Sequence, residues 1–263
     1  MLGAIAGDII GSAHEFCPTK SIDFPLFAEG SKFTDDSVLT AATAFSLLTD
    51  GNYSENYRIF GRLYPLAGYG GNFKKWLHGS SSEPYGSWGN GSAMRVSPVG
   101  FALDNEEEVL REAKKSAAVT HDHPEGIKGA QAIALGIFLA RQGAEPSQIK
   151  KEITDRFGYD LDRTVKGIRP DYKFDVSCQG SVPEAIICFL EGQDWEQAVR
   201  LAVSLGGDAD TQACMAGALA QARFSGMPSE IELATRKMLP EHLLEIIEDF
   251  EKKFMAGQRE MDA

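Results

Sequence analysis

Basic charge is what this sequence has least of. Its 26 Lys and Arg are outnumbered by 38 Asp and Glu, giving a formal net charge of −12 and an isoelectric point near 4.9. A protein that grips a nucleic-acid backbone normally needs a basic stripe to displace counterions, so this balance argues against one. An acidic protein still binds phosphorylated small molecules, through backbone N–H groups at helix N-termini and through divalent cations. Cysteine is scarce too. Cys17, Cys178, Cys188 and Cys214 form no CxxC pair and have no His at zinc spacing. Neither a disulfide framework nor a structural zinc is suggested, and reduced core residues are expected. No apolar run approaches the roughly 18 residues of a membrane span. The opening MLGAIAGDIIGSAHEF is apolar but has no basic leader and carries Asp8 and Glu15. No signal peptide is read from it, and a cytoplasmic location is the default. Pro/Ser/Gly-rich and single-sign stretches are missing as well, so no linker is read and one domain over residues 1–263 is expected.

What is present is a helical pattern. Hydrophobic residues make up 43% of the 263, enough for a full-sized core. Apolar spacings of three and four recur, while alternating runs are nearly absent, which predicts an all-α protein. Helices are expected at Asp35 to Thr49, Ser54 to Leu66, Ser92 to Leu103, Glu106 to Val119, Glu125 to Arg141, Ser147 to Phe157, Pro183 to Glu191, Glu196 to Ser204, Thr211 to Phe224 and Glu241 to Phe254. The small residues of AGALAQA, Ala216 to Ala222, let helices approach closely and place that segment at the centre of the bundle. The stretch from Ile168 to Gly180 is irregular, with room for a short strand or a turn. Glycine concentrates between helices, in GYGGN (Gly68 to Asn72), YGSWGNGS (Tyr85 to Ser92) and LGGDAD (Leu205 to Asp210).

Two helix starts are unusually acidic. Thr34-Asp35-Asp36 and Asp208-Ala209-Asp210-Thr211 each pair two carboxylates with a hydroxyl, the oxygen donors that Mg²⁺ and Mn²⁺ prefer. The plainer reading is capping, since Thr and Asp satisfy free N–H groups and acids suit the first turn. A cap needs one oxygen, however, not two acids and a Thr. Four carboxylates converging would fold only around cations, and would suit two metals roughly 4 Å apart.

Five segments in order, GAIAGDIIGSAHE, FTDDS, GSWGNGSAMRVSPVG, a Thr-His pair after a helix, and SLGGDADTQACMAGALAQA, resemble the ADP-ribosylglycohydrolase family. The resemblance runs from the first residues to about Gly226. It implies an all-α, single many-helix orthogonal bundle with a binuclear magnesium site at the floor of a cleft. Its metal ligands would be Thr34, Asp35, Asp36, Asp208, Asp210 and Thr211, with Mn²⁺ as a substitute ion. Glu15, by itself a helix-end acid, would sit beside the metals and handle protons, with Asp36 the second candidate. Gly86, Ser87, Gly89 and Asn90 match an ADP-ribose-binding loop, whose glycines let N–H groups reach phosphate. Trp88 stands where many relatives have Tyr, either stacking on a base or anchoring a surface loop. Gly68, Tyr69, Gly70 and Gly71 would line the phosphate side. His121 matches a His near the ligand, although a His there also suits a helix C-terminus. The implied reaction is Mg²⁺-dependent release of ADP-ribose from a protein side chain such as arginine or serine, by a chain expected to be monomeric. The alternatives are a hydrolase of a free metabolite such as O-acetyl-ADP-ribose, and a non-catalytic ADP-ribose-binding protein.

Overall fold

The computed structural model describes residues 1–49 and 51–256, and these form helices joined by loops. In chain order they are α1 (Leu2–Ser12), α2 (Asp35–Leu48), α3 (Tyr53–Leu63), α4 (Gly71–His78), α5 (Gly91–Met94), α6 (Ser97–Ala102), α7 (Glu106–Ala118) and α8 (Pro124–Arg141). There follow α9 (Pro146–Phe157), α10 (Val165–Ile168), α11 (Cys178–Glu191), α12 (Trp195–Val203), α13 (Ala209–Arg223), α14 (Ser229–Lys237) and α15 (Glu241–Phe254). The architecture is all-α, as the sequence pattern predicts. Among the described residues the sole extended pairing is an isolated antiparallel bridge between Gly89 and Ser177. No described helix is long and apolar enough to cross a membrane.

The spine is a pair of helices made of small residues. α1 carries Gly3, Gly7 and Gly11, one per turn on a single face, and α13 answers with Gly217, Ala213 and Ala209. The two run antiparallel with their backbones touching. A Cβ on Gly7 would lie 2.1 Å from the Ala213 carbonyl oxygen, one on Gly11 2.4 Å from that of Ala209, and one on Gly217 2.3 Å from that of Gly3. No side chain fits in that seam, so glycine is required there by close approach. Every residue of α13 from Ala209 to Ala222 is buried. A helix buried all round has no polar face, which is why its sequence is short of a clear stripe. Helix α12 braces it, with Trp195 Nε1 donating to the Gly217 carbonyl at 2.9 Å.

Most of the expected helices form with ends shifted by a few residues, and the departures have local causes. The segment Ser92 to Leu103 is two short helices, α5 and α6, because Pro98 has no N–H to give the Met94 carbonyl. That carbonyl is taken instead by Cys214 Sγ at 3.3 Å and Thr40 Oγ1 at 3.5 Å. Helix α11 begins at Cys178, not Pro183, because Ser177 caps it by accepting from Gly180 N at 3.0 Å. Helices α1, α4, α10 and α14 were not among the expected ones. α1 is masked by its glycines, and α4 by the Gly70-Gly71-Asn72 start that reads as a turn. Of the four cysteines expected in the core, Cys178, Cys188 and Cys214 are buried, but Cys17 is exposed on the loop after α1. Residues 257–263 of the expected domain lie outside the described residues.

Candidate active site

The α1–α13 seam brings acids from three helices to one place. Asp8 follows Gly7 on α1, Asp36 lies in the first turn of α2, and Asp210 follows Ala209 on α13. One oxygen from each of these three lies within 4.8 Å of the others. A second trio, Glu15, Asp208 and Asp210, meets the same criterion, so Asp210 belongs to both. Asp35 lines the cleft beside them. The turn that delivers Asp208 needs its two glycines. Gly206 has φ of +66°, and a Cβ on Gly207 would lie 2.3 Å from the Tyr172 ring.

Capping explains only part of this cluster. Thr34 does cap α2, its Oγ1 accepting from Asp36 N at 3.3 Å. Asp208 occupies the N-cap position of α13 without making a side-chain cap bond there, and accepts from Asn90 Nδ2 at 2.7 Å. Asp36 is buried with Oδ1 unpartnered, and its Oδ2 receives only long contacts of 3.4 Å from Thr34 and Thr211. A buried carboxylate oxygen without a donor is costly unless something positive meets it. Asp8 is the opposite case. It accepts from Thr34 N at 2.9 Å, Thr34 Oγ1 at 2.7 Å and Ser37 N at 3.0 Å, and from the Ser37 hydroxyl as well. It therefore fixes the start of α2 against α1, capping one helix from another.

The cluster's electrostatics are those of uncompensated acids. Among the described residues no Lys or Arg forms an ion pair with Asp8, Glu15, Asp35, Asp36, Asp208 or Asp210. Burial pushes the Asp8 carboxyl up to about 6 despite its four donors. Burial, then the charges of Asp8 and Asp208, push Asp35 up to about 8. Burial and mutual repulsion hold Asp36 and Asp210 well above the carboxylate range. Half-buried Glu15 is pushed up to about 7, by burial first and then by Asp208 and Asp8. Such a set of oxygens suits a hard divalent cation, which would replace the missing positive charge.

The opposite wall of the cleft, whose volume is about 500 Å³, is the glycine loop from Gly86 to Gly91. It hangs from the turn after α7. Gly86 N donates to Asp122 Oδ1 at 2.8 Å, and Ser87 N to the Thr120 carbonyl at 3.4 Å. Its other end is tied to the segment before α11 by Asn90 N to the Val176 carbonyl at 2.8 Å and Cys178 N to the Trp88 carbonyl at 3.0 Å. Trp88 lines the cleft while 49% exposed, beside the exposed Phe174 and Val176. His121 is buried against the loop, and a Cβ on Gly91 would come within 3.1 Å of its Nε2.

Of the residues singled out in the sequence, Glu15, Asp35, Asp36, Gly68, Gly70, Gly71, Gly86, Ser87, Trp88, Gly89, Asn90, His121, Asp208, Asp210 and Thr211 all line this one cleft. Thr34 lies behind them as the α2 cap. Tyr69 does not line it. Its buried ring stacks on Phe73, with centroids 5.2 Å apart. Sequence reasoning missed Asp8, whose signal was a lone acid in an apolar small-residue stretch. It also missed Asp122 and Arg95, the latter fully buried in the cleft wall.

Comparison with known proteins places the chain in a family. A family model described as ADP-ribosylglycohydrolase matches residues 1–260, well past the last motif near Gly226. The chain is 27% identical to ADP-ribosylhydrolase ARH3 of Mus musculus, over 98% of this chain and 89% of that one. It is 28% identical to ARH3 of Homo sapiens, covering 85% and 84%. It is 26% identical to ADP-ribosylarginine hydrolase Tri1 of Pseudomonas putida, covering 88% and 71%. A solved structure titled ADP-ribosylglycohydrolase-related protein complex shares the fold, with a TM-score of 0.74 at 24% identity over 97% of this chain and 96% of that one. The chain belongs to the ADP-ribosylglycohydrolase family and is a glycosyl hydrolase.

Proposed function

We propose that this chain hydrolyses the bond between the anomeric carbon of ADP-ribose and an acceptor on a protein side chain such as arginine or serine, in a reaction that requires Mg²⁺. The observation that carries this is the pair of acidic trios sharing Asp210, set across one cleft from a glycine loop. The residues fit the metal, because Asp36 Oδ1 is buried without a partner and no basic side chain among the described residues pairs with the acids. Asp36, Asp208 and Asp210, with Asp35, Thr34 and Thr211, would hold two ions, and Mn²⁺ would substitute. Bound there, the ions would neutralise the carboxylates and polarise the ribose hydroxyls and water.

The chain's own residues supply positioning and a proton. In the glycine loop the N–H groups of Gly86, Ser87, Gly89 and Asn90 are bonded within the protein, which leaves those of Trp88 and Gly91 as the backbone donors for a diphosphate, and α5 is too short to add much dipole of its own. Trp88 offers an aromatic face at the rim for the base. In the metal-free chain burial, Asp208 and Asp8 push Glu15 up to about 7, which favours a carboxyl that holds a proton. It would give that proton to the departing group and then take one from water. Asp36 fits this task less well than holding a cation, since it is fully enclosed.

The test is a panel of ADP-ribosylated arginine, serine and acetate substrates, each assayed for free ADP-ribose with Mg²⁺, with Mn²⁺ and with EDTA. Release from a side-chain substrate that EDTA abolishes and Mg²⁺ restores is expected. Release from acetate alone would move the substrate to a free metabolite. No release from any of them would reject hydrolysis.

A further inference from the structure

Among the clustered acids, Asp8 has no part in the proposed reaction. It lies wholly buried on α1, with one oxygen inside the same 4.8 Å as oxygens of Asp36 and Asp210. Its Oδ2 is filled by Thr34 N at 2.9 Å, Ser37 N at 3.0 Å and the Ser37 hydroxyl. Its Oδ1 takes one donor, the Thr34 hydroxyl, at 2.7 Å. Gly7 beside it is pressed on the Ala213 backbone, so this carboxylate has no room to shift toward α13.

We infer that Asp8 is a positioning residue: it takes the proton of the Thr34 hydroxyl and so leaves the Thr34 oxygen as an acceptor free to face a cation. A threonine hydroxyl has one proton to give and two lone pairs. Two carboxylate oxygens lie near it, Asp8 Oδ1 at 2.7 Å and Asp36 Oδ2 at 3.4 Å. One proton cannot serve both, and the shorter contact has the length of a hydroxyl bonded to a charged oxygen. One lone pair of Thr34 then meets Asp36 N at 3.3 Å. The other shares with Asp36 Oδ2 a gap that holds no proton, and Asp36 Oδ1 is bare as well. Oxygens left this way suit a hard cation. With no acceptor at Asp8 the proton would swing to Asp36 and shield both oxygens from an ion. Asp8 acts through Thr34 in this arrangement, and not as a ligand itself. That the ion is Mg²⁺ held by Thr34 and Asp36 rests on the function proposed above.

Neutron diffraction from the deuterated, metal-free protein at mildly alkaline pH reads the bond directly. The deuteron should sit on Thr34 Oγ1 and point to Asp8 Oδ1. A deuteron on Asp8 Oδ1, or on the line from Thr34 to Asp36, would overturn the inference. Calorimetric Mg²⁺ affinity reads the purpose of the bond. In Asp8→Asn the two backbone N–H groups at Oδ2 keep the amide oxygen there, which turns the amide N–H toward Thr34. Affinity should fall about 10- to 100-fold. Thr34→Val should lose a comparable amount, with Thr34→Ser restoring it. The double variant should stay within about threefold of the weaker single one. Losses that multiply would make Asp8 act independently of Thr34, and unchanged affinity in Asp8→Asn or Thr34→Val would also overturn the inference. Ser37→Ala removes a donor from the same carboxylate without touching the Thr34 proton. It should lower the melting temperature yet leave Mg²⁺ affinity within about threefold. A fall as large as that of Asp8→Asn would show that the carboxylate only holds the helices together. Should Asp8→Asn fail to fold, the deuteron and Thr34→Val still decide. The deuteron is placed without metal, so Mg²⁺ failing to bind the unsubstituted protein would count against the proposed function and leave the direction of the bond standing.

Discussion

The floor of the cleft gathers six carboxylates on α1, the loop after it, α2 and α13, where backbones touch. The wall from Gly86 to Gly91 contributes none, and is hung from the Thr120–Asp122 turn by Gly86 N on the Asp122 carboxylate and Ser87 N on the Thr120 carbonyl. The floor is all acceptors, held by helices too close to move apart. The wall carries no acid, and behind it Arg95 leaves Nε and Nη1 without partners. The difference teaches that the two sides suit different parts of one ligand. In the proposed function, phosphate oxygens would lie against the wall and cations would offset the charge of the floor. Neither side would be stable with the other's chemistry.

The sharpest way to break this contrast is Asp210→Asn, which removes a charge from both acidic trios at once. It should lower turnover by about 10²–10³-fold or more, with Mg²⁺ binding by calorimetry lost in parallel. Unchanged Mg²⁺ binding would show that the floor is not a metal site. Glu15→Gln should slow turnover by on the order of 10²-fold while ADP-ribose affinity holds, separating proton handling from binding. A near-normal kcat would remove Glu15 from the chemistry.

A smaller effect concerns stability. The metal-free carboxyls of Asp8, Asp35 and Glu15 stand at about 6, 8 and 7, above their ordinary values. A folded value that is raised gives stability fully present below the unfolded value near 4, and lost as pH climbs through the folded value. Without metal the melting temperature should therefore fall between pH 5 and 8.5, by on the order of 5 °C. Saturating Mg²⁺ should flatten the fall, and a metal-free profile that rises with pH would contradict the idea of uncompensated acids. The smallest effect belongs to the wall. Asp122→Ala frees Gly86 N, and should raise KM about three- to tenfold with little change in kcat. A change in kcat alone would tie the wall to the floor's chemistry.

Much of this was legible from residue order. Helical spacing was visible because most helices have one wet face, and the acidic starts of α2 and α13 stood out because two acids and a Thr exceed what a cap uses. α1 was hard to read because its residues from Leu2 to Gly11 are all buried, leaving no polar stripe to mark a period. Asp8 was hidden with it. Tyr69 sat inside a glycine motif but turned to the core, where Phe73 offers a stacking face. Asp122 looked incidental because its partner, Gly86, is 36 residues away.

By itself, then, the sequence determined the helical class, the acidic balance and the residue types of the cleft, all of which depend on local spacing and composition. Tertiary structure alone decided which acids share an ion's reach and which of them cap a helix. Those are questions of distance. They are settled by the α1–α13 seam, a contact between residues far apart in the chain.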